Sequence, residues 1–349
     1  MKYFKGVYIL RSYVIGIDVG ATWTRIALAN KNGVILYKHV FKTPRSGDRY
    51  TIAETISENI IQHYKEYLDN IEAIGIGTAG PLELSTGMVI NSPNIPIRNF
   101  ELGKPIQDTL KKPVIMANDC VTAVWGEKNL GLGKEYSNIV YITISSGIGG
   151  GMIVNDTLLL GKMGNAHEIG HTIVDVSGKM RCGCGGYGHW EAYAGGVNIP
   201  RFAELILNEI DIKADEKTSP IYRAFIEKNL STELIYSEAN KGDKLALKII
   251  NEINRYNIAG FENIINLYDP ELITLGGSVI LKNRELVFKR IVEGVTKSKG
   301  IVTSLPKIEI TAFEEDIVLV GAIALAIKPP QNLINMLKYL QLFLGYIIL

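Results

Sequence analysis

The stretch HEIGH, residues 167–171, carries three side chains whose types and spacing could do chemistry. His167 and His171 are four residues apart, so a helix would bring both imidazoles to one face, where they could bind zinc. Glu168 between them could then activate a water molecule, as in zinc peptidases of the HExxH type. Glu191 lies downstream as a further acid that could complete such a site. One interpretation of this stretch is therefore a metallopeptidase.

A second group of metal-binding side chains follows the same stretch. Cys182 and Cys184 are separated by one residue, a spacing that suits a metal better than a disulfide. Together with His171 and His189 they form a Cys₂His₂ set of the kind that binds structural zinc. The glycines between them would let the chain wrap tightly around one ion. The alternative is a glycine-rich surface loop with free thiols.

Three turns rich in glycine and hydroxyl groups could hold phosphate, because small residues let backbone N–H groups approach an anion. They follow Asp18, span SSGIGGG at 145–151, and span LGGS at 275–278, where a helix would begin. Each turn alone fits a tight turn without a ligand at least as well, and no Walker A lysine motif is present. The three together favour a nucleotide held between two lobes. The candidate nucleotide-binding residues are Asp18, Gly20, Thr22, Thr24, Ser146, Gly147, Gly149, Gly276 and Gly277.

A polar pair, Asn118 and Asp119, ends the apolar run KPVIMA. The carboxyl end of a strand is where open α/β sheets place their ligands, and a carboxylate there could act as a general base. Asparagine and aspartate are also common helix caps. The residues alone leave both interpretations open.

The predicted strands and helices that position these groups indicate an α/β fold. Short, β-branched runs alternate with glycine turns near residues 13–42 and again near 139–158, and helical spacing follows each. Residues 201–265 are largely helical in pattern, and DIVLVGAIALAI near the end predicts one more apolar helix. Two similar halves predict an internally duplicated α/β architecture with a cleft between them.

Composition excludes several classes of protein. The 349 residues carry 37 basic and 36 acidic side chains, so bulk charge indicates neither nucleic acid nor a membrane surface as partner. Only three cysteines occur, and two of them have the spacing of metal ligands rather than of a disulfide, which indicates a reducing, cytoplasmic setting. The third, Cys120, is predicted to be a small buried hydrophobe. Residues 1–12 lack a signal-peptide cleavage site. The apolar tail, 331–349, predicts a helix packed on its own chain or a second subunit rather than a membrane span.

Taken together, the Asp-x-Gly-x-Thr start, the SSGIGGG turn, the Asn118-Asp119 pair, HEIGHTIV and CGCGGYGHWE resemble the ROK family of sugar kinases and repressors. The resemblance covers about residues 13–328 and keeps the family's motif order. It implies the actin-like, ribonuclease-H-like ATPase fold, with two duplicated α/β lobes closing on sugar and ATP. The implied lobes are residues 1–120, to which 313–349 return, and residues 121–312, which carry the zinc loop.

The resemblance also implies roles for single residues. Asp119 would be the general base, and Asn118 would bind sugar hydroxyls. Glu168, His171 and Glu191 would contact the sugar too, with Asn94 a further candidate from the loop at 80–96. Asp18 would lie near the Mg²⁺ that accompanies ATP. The implied zinc ligands are His171, Cys182, Cys184 and His189.

This sequence departs from the family's pattern in two places. His189 stands where relatives have a third cysteine, and histidine also binds zinc. His167 stands where relatives have a small residue, so the HExxH match is a coincidence and His167→Gly should spare zinc and activity.

An ATP-dependent kinase acting on the 6-hydroxyl of glucose or a related hexose is the function these features predict. An N-acetylglucosamine or N-acetylmannosamine kinase is the alternative, and a homodimer or homotetramer is expected. A sugar-responsive repressor would carry an added N-terminal helix-turn-helix domain, for which the dozen residues before the first strand leave no room.

Overall fold

A computed structural model describes residues 12–84, 86–90, 92 and 95–337. The predictions for Asn94, for residues 1–11 and for residues 338–349 lie outside these ranges. The strands are β1 (Tyr13–Val19), β2 (Trp23–Asn30), β3 (Ile35–Lys42), β4 (Ile71–Thr78), β5 (Leu82–Glu83), β6 (Met88–Val89), β7 (Phe100–Glu101), β8 (Val114–Asn118), β9 (Ile139–Ile144), β10 (Ile148–Val154), β11 (Thr157–Leu158), β12 (Leu272–Gly276) and β13 (Lys307–Ile310). The helices are α1 (Thr51–Tyr64), α2 (Gly103–Leu110), α3 (Asp119–Leu130), α4 (Trp190–Ala194), α5 (Ile199–Glu209), α6 (Pro220–Ile226), α7 (Thr232–Asn240), α8 (Lys244–Tyr268), α9 (Ser278–Lys282), α10 (Phe288–Lys297) and α11 (Ile317–Ile327).

These elements form two compact units. The first contains the residues up to 130, residues 157–166 and the residues from 316 onward, and the second contains 131–156 and 167–315. The first unit runs ten residues further than the lobe predicted to end at 120, because α3 packs along α11. The short segment 157–166 also belongs to the first unit, which the sequence pattern did not indicate.

A five-stranded sheet in the order β3-β2-β1-β4-β8 forms the centre of the first unit. β1 and β2 are an antiparallel hairpin, whereas β1, β4 and β8 run parallel. Their register places Val19 beside Thr78, and Thr78 beside Asn118. The sheet therefore ends with Asp18, Thr78 and Asn118 along one edge.

The apolar helix predicted near the end of the chain is confirmed as α11, and it packs directly on this sheet. Its buried face contacts Val14 and Ala27 through Leu319 and Ile323. The approach is close because glycine faces it: a Cβ on Gly75 would lie 1.9 Å from the Ala322 carbonyl oxygen. Such a distance forbids any larger residue and fixes the helix against the parallel strands.

The second unit repeats this plan. β9 and β10 are an antiparallel hairpin, and β12 pairs parallel to both β9 and β13. The order β10-β9-β12-β13 therefore matches β2-β1-β4-β8 of the first unit. The predicted internal duplication is confirmed at the level of strand order and direction.

Residues 167–171 do not form an α-helix. Only Ile169–His171 make a single 3₁₀ turn. His167 and His171 therefore do not share one helical face, and the peptidase interpretation loses the geometry it requires.

The end of the described chain is helical over residues 331–337, where Leu333 is fully buried. Within the described ranges, no single helix has the length and apolar character to cross a membrane. Glu314–Ile327 and Gln331–Leu337 reach that standard only as a pair bent by 76°.

Candidate functional site

Asp18 is a nearly buried acid at the edge of the first sheet, with 7% of its surface exposed. The hairpin places Arg25 directly opposite, and the Arg25 Nη1 donates to Asp18 Oδ2 at 2.9 Å. Burial raises the pKa of Asp18 to about 6 despite Arg25, and the charges of Asp119 and Asp316 raise it further. Arg25 therefore pairs directly with Asp18 and lies 4.0 Å from Asp316, which also pairs with Lys38 at 2.6 Å. The carboxylates of Asp18, Asp119 and Asp316 lie close enough for their charges to interact, and such a group of acids can attract a cation.

The turn after Asp18 is held by its own hydroxyl groups. Thr24 is fully buried, and its Oγ1 lies 2.9 Å from the Oγ1 of Thr43, which in turn donates to the Gly20 carbonyl at 2.7 Å. Thr24 therefore stabilises the turn rather than facing solvent. The predicted neighbour Thr22 is exposed. The sequence analysis did not identify Thr43, because it follows β3 and is 23 positions from Gly20.

Asn118 and Asp119 lie where β8 passes into α3, as predicted. Asn118 Oδ1 accepts the N–H groups of Cys120 at 2.8 Å and Val121 at 3.4 Å, so the side chain caps the helix. Both of these bonds use the Asn118 oxygen and neither uses its amide NH₂ group. Asp119 Oδ1 also accepts from Cys120 N at 2.8 Å, and its carboxylate is half-buried. Capping fixes both side chains at the sheet edge, so the two interpretations are compatible.

In the second unit, the turn between β9 and β10 is tied to Glu191. The turn comprises Ser145 to Gly147, where Ser146 is exposed. Glu191 Oε2 accepts the Ile148 N–H at 2.9 Å, and a Cβ on Gly147 would lie 2.3 Å from that oxygen. Glycine at 147 thus makes room for the carboxylate. Gly149 lies outside the turn, since it pairs with Thr143 inside β10.

Gly276 and Gly277 join β12 to α9. Gly276 pairs with Thr143 of β9, and Gly277 has a φ of 90°, which few other residues adopt. A Cβ on Gly277 would also lie 2.4 Å from the Ile144 carbonyl oxygen. This turn is therefore brought against the end of β9, beside the Ser145–Gly147 turn of the same unit.

The four predicted metal ligands come together. One donor atom each from His171, Cys182, Cys184 and His189 lies within 4.8 Å of the others. His171 Nδ1 is 3.6 Å from Cys182 Sγ, and His189 Nδ1 is 3.3 Å from Cys184 Sγ. Two thiols and two imidazoles at such distances fit a tetrahedral zinc ion. His167 is not part of this group.

Two acids lie next to this Cys₂His₂ group. Glu168 is half-exposed, and its Oε2 is 3.7 Å from His171 Nε2, whereas His171 Nδ1 is the nitrogen 3.6 Å from Cys182 Sγ. A carboxylate at that position orients a metal-binding imidazole. Cys182 Sγ donates to Glu191 Oε1 at 3.8 Å, and burial raises the pKa of Cys182 to about 11. Metal binding would therefore release the Cys182 proton.

Trp190 anchors the helix that carries Glu191. It is fully buried, its Nε1 donates to Asn257 Oδ1 at 3.0 Å, and its ring packs edge-on against Phe261. The sequence analysis did not identify Trp190 or Asn257, because they are 67 positions apart.

The fold and the site together define a class of protein. The two sheets have matching strand order, and each has a glycine turn in its first hairpin. Together with the acids at the end of the first sheet, this is the arrangement of the actin-like ATPases. The chain belongs to the ROK family, whose family model matches residues 14–329.

Known proteins similar to this chain fit that family. A glucokinase of Pyrobaculum calidifontis is 38% identical over 319 residues, which cover 91% of this chain and 96% of the relative. The ROK hexokinase of Thermus thermophilus is 27% identical with a TM-score of 0.76, covering 90% of this chain and 97% of that one. A ROK family glucokinase from Streptomyces griseus, solved with glucose and AMPPNP, is 28% identical with a TM-score of 0.71, covering 90% and 99%.

Proposed function

We propose that this chain transfers the γ-phosphate of ATP to the 6-hydroxyl of glucose or a related hexose. The main support for ATP-dependent hexose phosphorylation is the 38% identity to a glucokinase, which extends over nearly the full length of both chains.

Asp119 is the proposed general base. In phosphoryl transfer, the oxygen of the sugar hydroxyl attacks the γ-phosphorus and ADP leaves. A carboxylate accepts the proton of that hydroxyl as the attack proceeds. Asp119 is held by the Cys120 N–H and lies close enough to Asp18 for their charges to interact. Asp18, the less exposed of the two, is proposed to lie near the Mg²⁺ of the nucleotide.

Sugar and nucleotide contacts are proposed for the remaining candidate residues as well. Hydroxyl groups of the sugar are proposed to bind the Asn118 amide and the carboxylates of Glu168 and Glu191, with His171 and Asn94 as further candidates. Residues in or beside the three glycine-rich turns are proposed to bind phosphate, as small residues and hydroxyls do elsewhere. These are Gly20, Thr22, Ser146, Gly147, Gly276 and Gly277, whereas Thr24 and Gly149 support the turns structurally.

Zinc is the ion proposed for His171, Cys182, Cys184 and His189. When bound, it would fix the loop between Glu168 and Glu191, and four protein ligands would leave no open position for catalysis. We also propose a cytoplasmic homodimer or homotetramer that binds no nucleic acid. Light scattering of the purified chain measures the oligomeric state.

The proposed function is tested by measuring kcat/KM with ATP across glucose, mannose, glucosamine, N-acetylglucosamine and N-acetylmannosamine. The highest value is expected for glucose or mannose. Preference for an N-acetyl sugar by about 100-fold or more, equivalent to about 2.7 kcal/mol, would select the N-acetylhexosamine kinase instead. Absence of sugar-dependent ADP release across the panel would contradict a sugar kinase of either kind.

The raised pKa of Asp18 predicts a pH dependence. As the pH falls through about 6, Asp18 gains a proton and loses the charge that attracts Mg²⁺. The KM for MgATP is therefore expected to rise below pH 6, and the inflection should be absent in Asp18→Asn. Initial rates from pH 5 to 8 at saturating sugar provide the measurement. An unchanged inflection in Asp18→Asn would assign it to another group.

Gly147→Ala is expected to lower kcat/KM by about tenfold or more. The new Cβ would lie 2.3 Å from Glu191 Oε2 and would push the carboxylate off the Ile148 N–H. Gly183→Ala adds the same methyl group where no atom lies within 4 Å of a Cβ, and its metal content is measured alongside because it lies between Cys182 and Cys184. Steady-state kinetics of both variants decide the matter. Equal activity in the two would show that contact between Glu191 and the turn is dispensable.

A further inference from the structure

Tyr193 places a single hydroxyl group at the base of the metal-binding loop. The residue lies in α4 and is fully buried. Its hydroxyl accepts the Met180 N–H at 3.1 Å and donates to Asp175 Oδ2. One oxygen atom thus joins two separate points of the loop to the helix.

These contacts reach every segment that supplies a candidate ligand. Asp175 follows His171 by four residues, and Met180 precedes Cys182 by two. Tyr193 itself follows His189 by four residues. The three ligand-bearing segments are therefore tied together by side-chain and backbone contacts that involve none of the four ligands.

Asp175 is itself firmly held. Its Oδ1 accepts the N–H of Ser177 at 2.9 Å and the Ser177 hydroxyl at 2.6 Å, and its Oδ2 accepts the Lys179 N–H at 3.3 Å. Burial opposes ionisation, yet the hydrogen bonds from Ser177 and Tyr193 outweigh it and lower the pKa of Asp175. The carboxylate is therefore a charged acceptor, which strengthens the bond from Tyr193.

The Tyr193 ring cannot turn its hydroxyl away from these partners. It stacks on Tyr256 with centroids 4.0 Å apart, and Phe202 packs edge-on at 5.0 Å. A packed aromatic ring loses little freedom when it forms a further hydrogen bond. The hydroxyl is thus rigidly aimed at the loop.

We infer that Tyr193 is a positioning residue for the metal site, whose hydroxyl holds the ligand-bearing segments together before the ion binds. An ion that meets ligands already within 4.8 Å of one another spends less of its binding free energy on ordering the chain. Without the hydroxyl, the free energy needed to order the loop would lower the observed affinity for the metal. The inference rests on the proposed metal site and is independent of the proposed kinase activity.

Tyr193→Phe tests the inference, because it removes one oxygen and keeps the ring. Tyr236→Phe is the matched control: Tyr236 is buried in the same unit, and its hydroxyl has no hydrogen-bond partner in the described part of the chain. The full-length protein is stripped of metal, and Zn²⁺ affinity is measured by competition with a chromophoric chelator. Co²⁺ is titrated in parallel, since its absorption spectrum reports thiolate ligation and tetrahedral geometry.

Tyr193→Phe is expected to weaken Zn²⁺ affinity by about 10- to 100-fold, with Tyr236→Phe unchanged. At saturation, the Co²⁺ spectrum of Tyr193→Phe should match that of the unaltered protein, because the ligands are the same. Equal affinity in Tyr193→Phe and the unaltered protein would overturn the inference, as would equal losses in both variants. A changed spectrum at saturation, or no binding by the unaltered protein, would overturn it as well.

Discussion

Asp119→Asn is expected to lower kcat by about 10²- to 10⁴-fold while the protein folds normally, because this substitution removes only the proton acceptor. An asparagine Oδ1 can still accept the Cys120 N–H that fixes the side chain, so the start of α3 should be preserved. Asp119→Ala should lose as much activity. The KM for the sugar should change far less than kcat. Steady-state kinetics and a thermal melt of each variant measure both effects.

Asp108→Asn is the control for this substitution. Asp108 is an exposed acid in α2 of the same unit, where it pairs with Lys104 at 3.1 Å. It should keep full activity, since exposed ion pairs contribute little. Turnover by Asp119→Asn or Asp119→Ala above a few per cent of the unaltered enzyme would remove Asp119 from the role of base.

His171→Ala is expected to abolish zinc binding and to reduce kinase activity together. The substitution removes one of four ligands and also the imidazole that Glu168 faces at 3.7 Å. Loss of a mere outer-shell partner already weakens metal affinity by about 10- to 100-fold, so loss of a ligand should exceed that. Elemental analysis of the purified variant and the coupled ADP assay provide the two readouts. Chelation of the unaltered protein should likewise lower its activity or stability.

His167→Gly distinguishes two interpretations of the HEIGH stretch: a zinc site that uses both histidines, and the Cys₂His₂ site that uses only His171. His167 is buried, with 4% exposed, so its removal should lower the melting temperature. Zinc content and phosphorylation should nevertheless persist when assayed well below that temperature. If His167→Gly lost zinc and His171→Ala retained it, the Cys₂His₂ assignment would be wrong. Active unaltered protein without zinc would also refute a zinc requirement.

Local patterns were sufficient to locate the main polar groups. Asn118 is the last residue of β8 and Asp18 the last but one of β1, and parallel pairing through β4 brings these strand ends to the same side of the sheet. Cys182 and Cys184 lie within a short, glycine-rich segment, so nearby histidines could be matched to them by spacing. Duplication of the strand pattern was visible for the same reason: short-range periodicity survives in each half.

Contacts that depend on register or on distant packing could not be predicted. Thr43 reaches Gly20 across the width of β2, and Tyr193 reaches Asp175 only once the loop has folded back. The extension of the first unit to the end of α3 depends on its packing with α11, almost two hundred positions later. Gly149 was predicted to lie in a turn, but strand pairing begins one residue earlier, at Ile148.

The most direct test of the account is the identity of the phosphorylated product. The purified chain is incubated with ATP, Mg²⁺ and glucose, and the product is characterised by ³¹P and ¹³C NMR alongside ADP release. We expect ADP and glucose 6-phosphate in equal amounts, with no ADP release when 6-deoxyglucose replaces glucose. Glucose-independent ADP release, or phosphate on a hydroxyl other than the 6-hydroxyl, would contradict the proposed reaction.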